Sequence, residues 1–258
     1  MLKNNPAIRK FYISCPNDGG LYLFANQKLS LIKQGNIRGM TLKGSDLYFV
    51  DGQTVKNLQD DNLFYLPKIF WHDIRYHDGY FYLMATEYKQ LYQVDESGKT
   101  IRLKNFEDCY WPNCCVKSPD GLIVFLSAKR PYSKSKIIFL DCSLDIKWEY
   151  NCFDYDEIHS PFLINNDLYW CRSNTNRVVK ASIDKQLKDA SEVIVNYDGY
   201  TRGLFLKDDL LILGTSENRH AENSSCQSNM QQGCVSFYKN GKLYDKIILS
   251  HKEVYDIC

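Results

Sequence analysis

The 258-residue chain carries 32 Lys and Arg against 31 Asp and Glu, a net charge of +1, with no long run of either sign. That balance argues against a nucleic-acid or anionic-membrane partner, which would need a basic patch. With 44% apolar and 14% aromatic residues, Tyr (19) and Phe (13) foremost, the chain can bury a sizeable core of pleated strands.

The N-terminal MLKNNPAIRKFYISC lacks the apolar core of a signal peptide, and no stretch nears the ~18 apolar residues of a membrane span. A cytoplasmic protein with no membrane partner is expected. The ten cysteines form no CxxC pair and several replace apolar strand residues. They are expected to be reduced, mostly buried thiols rather than disulfides or zinc ligands.

In chain order, KFYISC (10–15), GLYLFAN and KLSLIK read as three strands. Five similar units follow. Each opens on polar residues, runs through a strand, reverses at Gly, Asp or Asn, and returns as a second strand. Asn36-Ile37-Arg38-Gly39-Met40 reverses at Gly44-Ser45-Asp46 into LYFVDG, and His72-Asp73-Ile74 at His77-Asp78-Gly79 into YFYLMATE. Pro112-Asn113-Cys114-Cys115 reverses at Pro119-Asp120-Gly121 into LIVFLSAK. His159-Ser160-Pro161-Phe162 reverses at Asn165-Asn166-Asp167 into LYWCRS, and Thr201-Arg202-Gly203-Leu204 at Lys207-Asp208-Asp209 into LLILGTSE. The anchors Arg38, His72, Asn113, His159 and Arg202 are 34, 41, 46 and 43 residues apart, the period of a four-stranded propeller blade. Third strands follow as TVKNL, QLYQV, IIFLD, RVVKA and CVSFY, and fourth strands as TIRLKNF, IKWEYNC, SEVIVNY and DKIILS. KQLKDASEV (185–193) is the only helix candidate.

The C-terminal Glu253–Ile257 reads as a first strand that stops, and Lys10–Cys15 as a second strand lacking a first. Joined, they complete a sixth blade and cover edges that would otherwise be open. The expected fold is all-β, a single six-bladed β-propeller over 1–258 closed by both termini. Five blades plus an irregular cap is the alternative.

First strands of a propeller line the central channel and start at one face, to which second strands return. The starts place Arg38, His72, Asp73, Asn113, His159, Ser160, Arg202, Tyr255 and Asp256 at one funnel mouth. The returning ends place Ser216, Glu217 and Arg219 there, beside a polar insertion from Ala221 to Gly233 that has the length of a lid. Converging polar groups in a concavity are where binding or catalysis is sought first. Two arginines without carboxylate partners would hold a carboxylate or phosphate through their planar forks. Asn113, Ser160, Ser216 and Arg219 are further substrate contacts. His72 and His159 are the acid/base candidates, with Asp73 or Glu217 to orient a ring. No cofactor is required. A Ca²⁺-type cation is the variant, with Asn113 and Asp256 as weak oxygen ligands.

ISCPNDGGLY, HDI, IHSP…DLYW and GYTRGL…LGTSENR resemble a bacterial family of propeller-like proteins carrying a domain of unassigned function. The resemblance spans most of the chain and puts the family's hallmark positions on His72, Asp73, His159, Ser160, Pro161, Arg202, Gly203, Ser216 and Arg219. It implies a propeller with a shared site and brings no reaction with it. Two readings follow: a lyase, isomerase or hydrolase acting on a small anion in the funnel, or a non-catalytic platform for a ligand or protein partner.

Overall fold

Tight turns divide the chain into hairpins. Asn26–Gln27, Asp78–Gly79 and Asn240–Gly241 have positive φ at both central positions, the type I′ geometry that matches the twist of paired strands. The computed structural model describes residues 10–17, 19–59, 63–65, 69–128, 134–152, 157–195, 199–207, 209–217 and 232–258. No helix among them is long and apolar enough to cross a membrane.

The hairpins assemble into six antiparallel four-stranded sheets arranged as the blades of a propeller. The first blade comprises β4 (Ile37–Lys43), β5 (Asp46–Asp51), β6 (Thr54–Asn57) and the two-residue β7 (Phe64–Tyr65). The second comprises β8 (Asp73–His77), β9 (Tyr80–Ala85), β10 (Gln90–Asp95) and β11 (Thr100–Asn105). The third comprises β12 (Tyr110–Ser118), β13 (Gly121–Ala128), β14 (Lys136–Asp141) and β15 (Ile146–Asn151). The fourth comprises β16 (Ile158–Ile164), β17 (Asp167–Arg172), β18 (Arg177–Ser182) and β19 (Ser191–Val195). The fifth comprises β20 (Tyr200–Lys207), β21 (Leu210–Ser216), β22 (Cys234–Lys239) and β23 (Lys242–Ile248). The sixth joins both ends of the chain, in the order β24 (Asp256–Ile257), β1 (Lys10–Cys15), β2 (Gly20–Ala25) and β3 (Lys28–Lys33).

The closure follows the expected pairing. Ile13 faces Ile257 and Ser14 faces Asp256. Backbone hydrogen bonds extend the seam from Tyr12 N–H to Cys258 O (2.7 Å) and from Tyr255 N–H to Ser14 O (2.9 Å). The helix candidate at 185–193 is instead a turn followed by β19. Gln186 and Leu187 both take positive φ, which a right-handed helix excludes, and so short a segment could not nucleate one alone.

The core is divided among the blade interfaces. Phe11, Ile13 and Phe24 of the sixth blade pack on Ile212, Val235 and Phe237 of the fifth, and comparable clusters fill the other five interfaces. Burying each such side chain stabilises the ring by about 1.5–3 kcal/mol. Hydroxyl groups fasten neighbouring blades at the top. Thr86 Oγ1 donates to Pro112 O (2.6 Å), Ser173 Oγ to Thr201 O (2.7 Å) and Ser216 Oγ to Val254 O (2.9 Å). All nine described cysteines are free thiols, six of them buried.

Candidate functional site in the central channel

Bulges, rather than regular strand, present the channel residues. Pairing of the inner strand slips between Ile37 and Met40, Pro112 and Cys114, His159 and Phe162, and Thr201 and Leu204. The skipped residues are Arg38-Gly39, Asn113, Ser160-Pro161 and Arg202-Gly203. A bulge leaves the ladder and re-aims its side chain, so four blades project a polar group from the same level. Gly203 sits at φ +69°, where a side chain would be strained. At Gly39 a Cβ would stand 2.4 Å from Asp73 Oδ1.

Below this level lies a buried charge cluster. Arg75 projects into the channel and meets Asp73 Oδ1 and Asp256 Oδ2, each at 3.0 Å. Its guanidinium also donates to the backbone oxygens of Cys115 (3.0 Å), Ile74 (2.9 Å) and Met40. Each aspartate in turn holds the next blade: Asp73 accepts from Cys115 N–H (3.1 Å) and Asp256 from Met40 N–H (3.1 Å). Ser160 Oγ holds Gly203 N–H in the same way at 2.7 Å. Two carboxylates share one guanidinium out of water, and burial pushes the Asp73 carboxyl above the usual carboxylate range against the pull of Arg75. The two anions push the Arg75 pKa further up.

The upper level is arranged differently. Ser173 Oγ gives its proton to Thr201 O, so it can only accept from His159 Nδ1 at 2.9 Å. His159 therefore carries its proton on Nδ1 and offers the Nε2 lone pair, which receives Arg202 Nη2 (2.9 Å) and Asn113 Nδ2 (3.3 Å). The other Asn113 N–H goes to Ser127 Oγ (2.6 Å). The Arg202 guanidinium lies over the rings of Tyr255 (4.6 Å) and Tyr200 (5.5 Å), and its buried Nε has no partner. His72 Nδ1 donates to Asn113 O (2.7 Å), with Tyr255 Oη 2.5 Å away. Burial raises the Tyr255 pKa, while the charges of Arg202 and Arg38 oppose the rise. Neither arginine has a carboxylate at ion-pair distance among the described residues.

His72, Asp73, Arg75, Asn113, His159, Ser160, Arg202, Tyr255 and Asp256 thus line one cavity of about 10 Å³, room for one water. Anything larger must meet the group from the mouth. Several expected contacts are used otherwise. Asp73, expected to orient a histidine, is committed to Arg75 and Cys115. Glu217 pairs with Lys252 (3.2 Å), and Ser216 is spent on Val254. Asn113 and Asp256, the weak metal candidates, have the protein partners given above. Among the described residues no group of three or more His, Cys, Asp or Glu is placed to hold a metal. Arg219 and most of the insertion after Glu217 lie outside the described residues. Arg75 was not singled out from sequence, although it lies two residues after Asp73 and strand alternation puts both on one face.

No family model matches the chain, and no curated protein matches it in sequence. Solved structures do. A protein of unknown function from Bacteroides caccae superposes with a TM-score of 0.70 at 10% identity, over 97% of this chain and 98% of that one. A structure of the Nidogen/Laminin complex gives 0.67 at 10% identity, covering 96% and 97%. A luciferin-regenerating enzyme gives 0.66 at 13% identity, covering 85% and 78%. At such identities the likeness shows the propeller fold alone, and the neighbours' functions differ.

Proposed function

We propose that the funnel mouth binds a small carboxylate- or phosphate-bearing molecule, with Arg38 and Arg202 as its cationic contacts. The observation that carries this reading is that Arg202 lies over the Tyr255 ring with no carboxylate partner among the described residues, in a channel whose Arg75 has two. A guanidinium lying over two aromatic rings is held by cation–π attraction and keeps its remaining N–H groups for an anion. Asn113, Ser173 and Thr201 fix the His159 ring, and His159 in turn positions Arg202. His159 then serves as a positioning residue, because its lone pair is already engaged. His72 stays the candidate proton carrier should the bound anion react, which would make the protein a lyase, isomerase or hydrolase. Free thiols agree with a cytoplasmic location.

Calorimetric titration with inorganic phosphate and with malonate tests the reading. Saturable binding of either is expected in the native chain, and Arg202→Ala should weaken it by about 2–3 kcal/mol, roughly 30-fold or more. Failure of both anions to bind, or binding indifferent to Arg38→Ala and Arg202→Ala, would remove it. His72→Gln should leave the affinity within a few-fold.

A further inference from the structure

The face opposite the funnel carries a larger concavity between the second and third blades, where the β8–β9, β12–β13 and β14–β15 turns meet. It measures about 220 Å³, and Tyr82, Gln93, Ile101, Arg102 and Leu122 are among its walls. A closed apolar cavity of about 150 Å³ admits benzene, so a six-membered ring with one substituent fits here. The hydrogen bonding of the inner wall is incomplete. Gln93 is 3% exposed, its Nε2 donates to Tyr82 Oη (3.1 Å), and its buried Oε1 has no partner among the described residues. Tyr82 Oη accepts that bond, and its own proton has no acceptor among the described residues. Burial pushes the Tyr82 pKa up to about 12, which keeps that proton in place near neutral pH. One acceptor and one donor therefore stand side by side. Turning the Gln93 amide round exchanges the two roles and removes neither, since Gln93 then offers an N–H and Tyr82 a lone pair.

The charged groups at the opening already have partners. Arg102 donates to Cys142 O across the blade boundary. Asp141 holds Lys147 (2.7 Å) and accepts from the N–H groups of Ser143 and Asp145. Asp78 lies 2.9 Å from His77 Nδ1 and 3.8 Å from Lys117 Nζ. An anionic ligand would meet Asp78 and Asp141, and a cationic one would meet Arg102, so the lining favours neither charge. The unmet groups are neutral, and they call for a ligand that donates and accepts through neighbouring atoms. A carboxamide does so, with its N–H and C=O on one carbon. We propose that this crevice binds a neutral ring compound bearing a carboxamide, whose N–H donates to Gln93 Oε1 while its carbonyl accepts from the Tyr82 hydroxyl. The ring lies against Leu122 and Ile101. This site is separate from the funnel and does not depend on the anion proposed there.

The probe is benzamide, titrated into the full chain by calorimetry, with N,N-dimethylbenzamide as the analogue that keeps the carbonyl and lacks the N–H. Benzamide should bind saturably and the dimethyl analogue at least tenfold more weakly. Excess benzoate or benzylammonium, the anionic and cationic counterparts, should not displace it. Gln93→Leu should weaken benzamide at least tenfold and Tyr82→Phe by several-fold, whereas Arg202→Ala and Arg38→Ala should change nothing. Ile101 is exposed at the rim, so Ile101→Asp, expected to weaken benzamide by several-fold, keeps the test valid even if the buried variants fold poorly. The proposal is overturned if benzamide does not bind, if the dimethyl analogue binds as well, or if benzoate or benzylammonium displaces benzamide readily. Affinity that follows Arg202 rather than Gln93, Tyr82 or Ile101 would overturn it equally.

Discussion

Arg75 and Arg202 stand in one channel at two levels, and their surroundings differ in kind. Arg75 meets two carboxylates and three backbone oxygens drawn from neighbouring blades. Arg202 meets an imidazole nitrogen and two aromatic faces. A guanidinium given every acceptor it can use is part of the architecture, since removing it strands buried charge. One given none of the carboxylates around it is held in place yet left chemically incomplete. Exposure alone does not separate these roles, because both side chains are partly buried. The partners do.

The largest effect should come from removing what completes the lower level. Deleting residues 254–258 takes away β24, the buried Val254 and Ile257, and one of the two carboxylates on Arg75. The truncated chain should fail to fold cooperatively or should aggregate, and circular dichroism melting would show it. A truncated chain with the native melting temperature would end the closure account.

Next comes Arg75→Met, which leaves Asp73 and Asp256 facing each other without a cation. Chemical denaturation should show a loss of about 3–5 kcal/mol. A loss under 1 kcal/mol would mean that the cluster contributes little.

The cluster should also tilt stability with pH. The folded Asp73 carboxyl titrates above its unfolded value, so its contribution is fully present below the unfolded pKa and is lost as pH rises through the folded one. Between pH ~4 and neutrality stability should therefore fall, by at most about 1.4 kcal/mol per pH unit, and Asp73→Asn should flatten that slope. A slope of opposite sign unchanged by Asp73→Asn would show that Asp73 is not the group responsible.

A smaller effect is expected at the fastenings between blades. Ser216→Ala should cost about 1–3 kcal/mol, because it leaves Val254 N–H and C=O without their partner, and should not alter phosphate binding. An unchanged melting temperature with weakened phosphate binding would return Ser216 to the ligand site.

Much of this arrangement could be read in the sequence, for reasons that also mark where reading stops. The blades were legible because Asp78-Gly79 and similar turns recur once in every repeat, whose anchors are 34 to 46 residues apart. The closure was legible because Val254–Ile257 and Lys10–Cys15 are each half of a hairpin. That His72, Asn113, His159 and Arg202 line one cavity followed from strand direction alone, whereas Arg38, expected with them, is not among its lining residues. The bulges were not legible, since each adds a single residue near the start of an inner strand, where too little alternating sequence precedes it to reveal the change of face. Nor were the partners. Ser216 and Arg202 are both polar residues at the same mouth, and only coordinates distinguish a hydroxyl closing a blade seam from a guanidinium with no carboxylate partner among the described residues. The HSP and TRGL motifs are partly explained by the fold itself, because Ser160 and Gly203 form one interblade hydrogen bond.

The contrast between the two arginines is tested most directly by thermal melting of the native chain, Arg38→Ala and Arg202→Ala with and without phosphate. Phosphate at one hundred times its dissociation constant should stabilise the native chain by about 2.7 kcal/mol and raise its melting temperature. Without phosphate, the two variants should melt near the native chain, and phosphate should give them little further gain. Variants that melt well below the native chain, in a protein indifferent to phosphate, would place Arg38 and Arg202 with Arg75 as architecture and contradict the account.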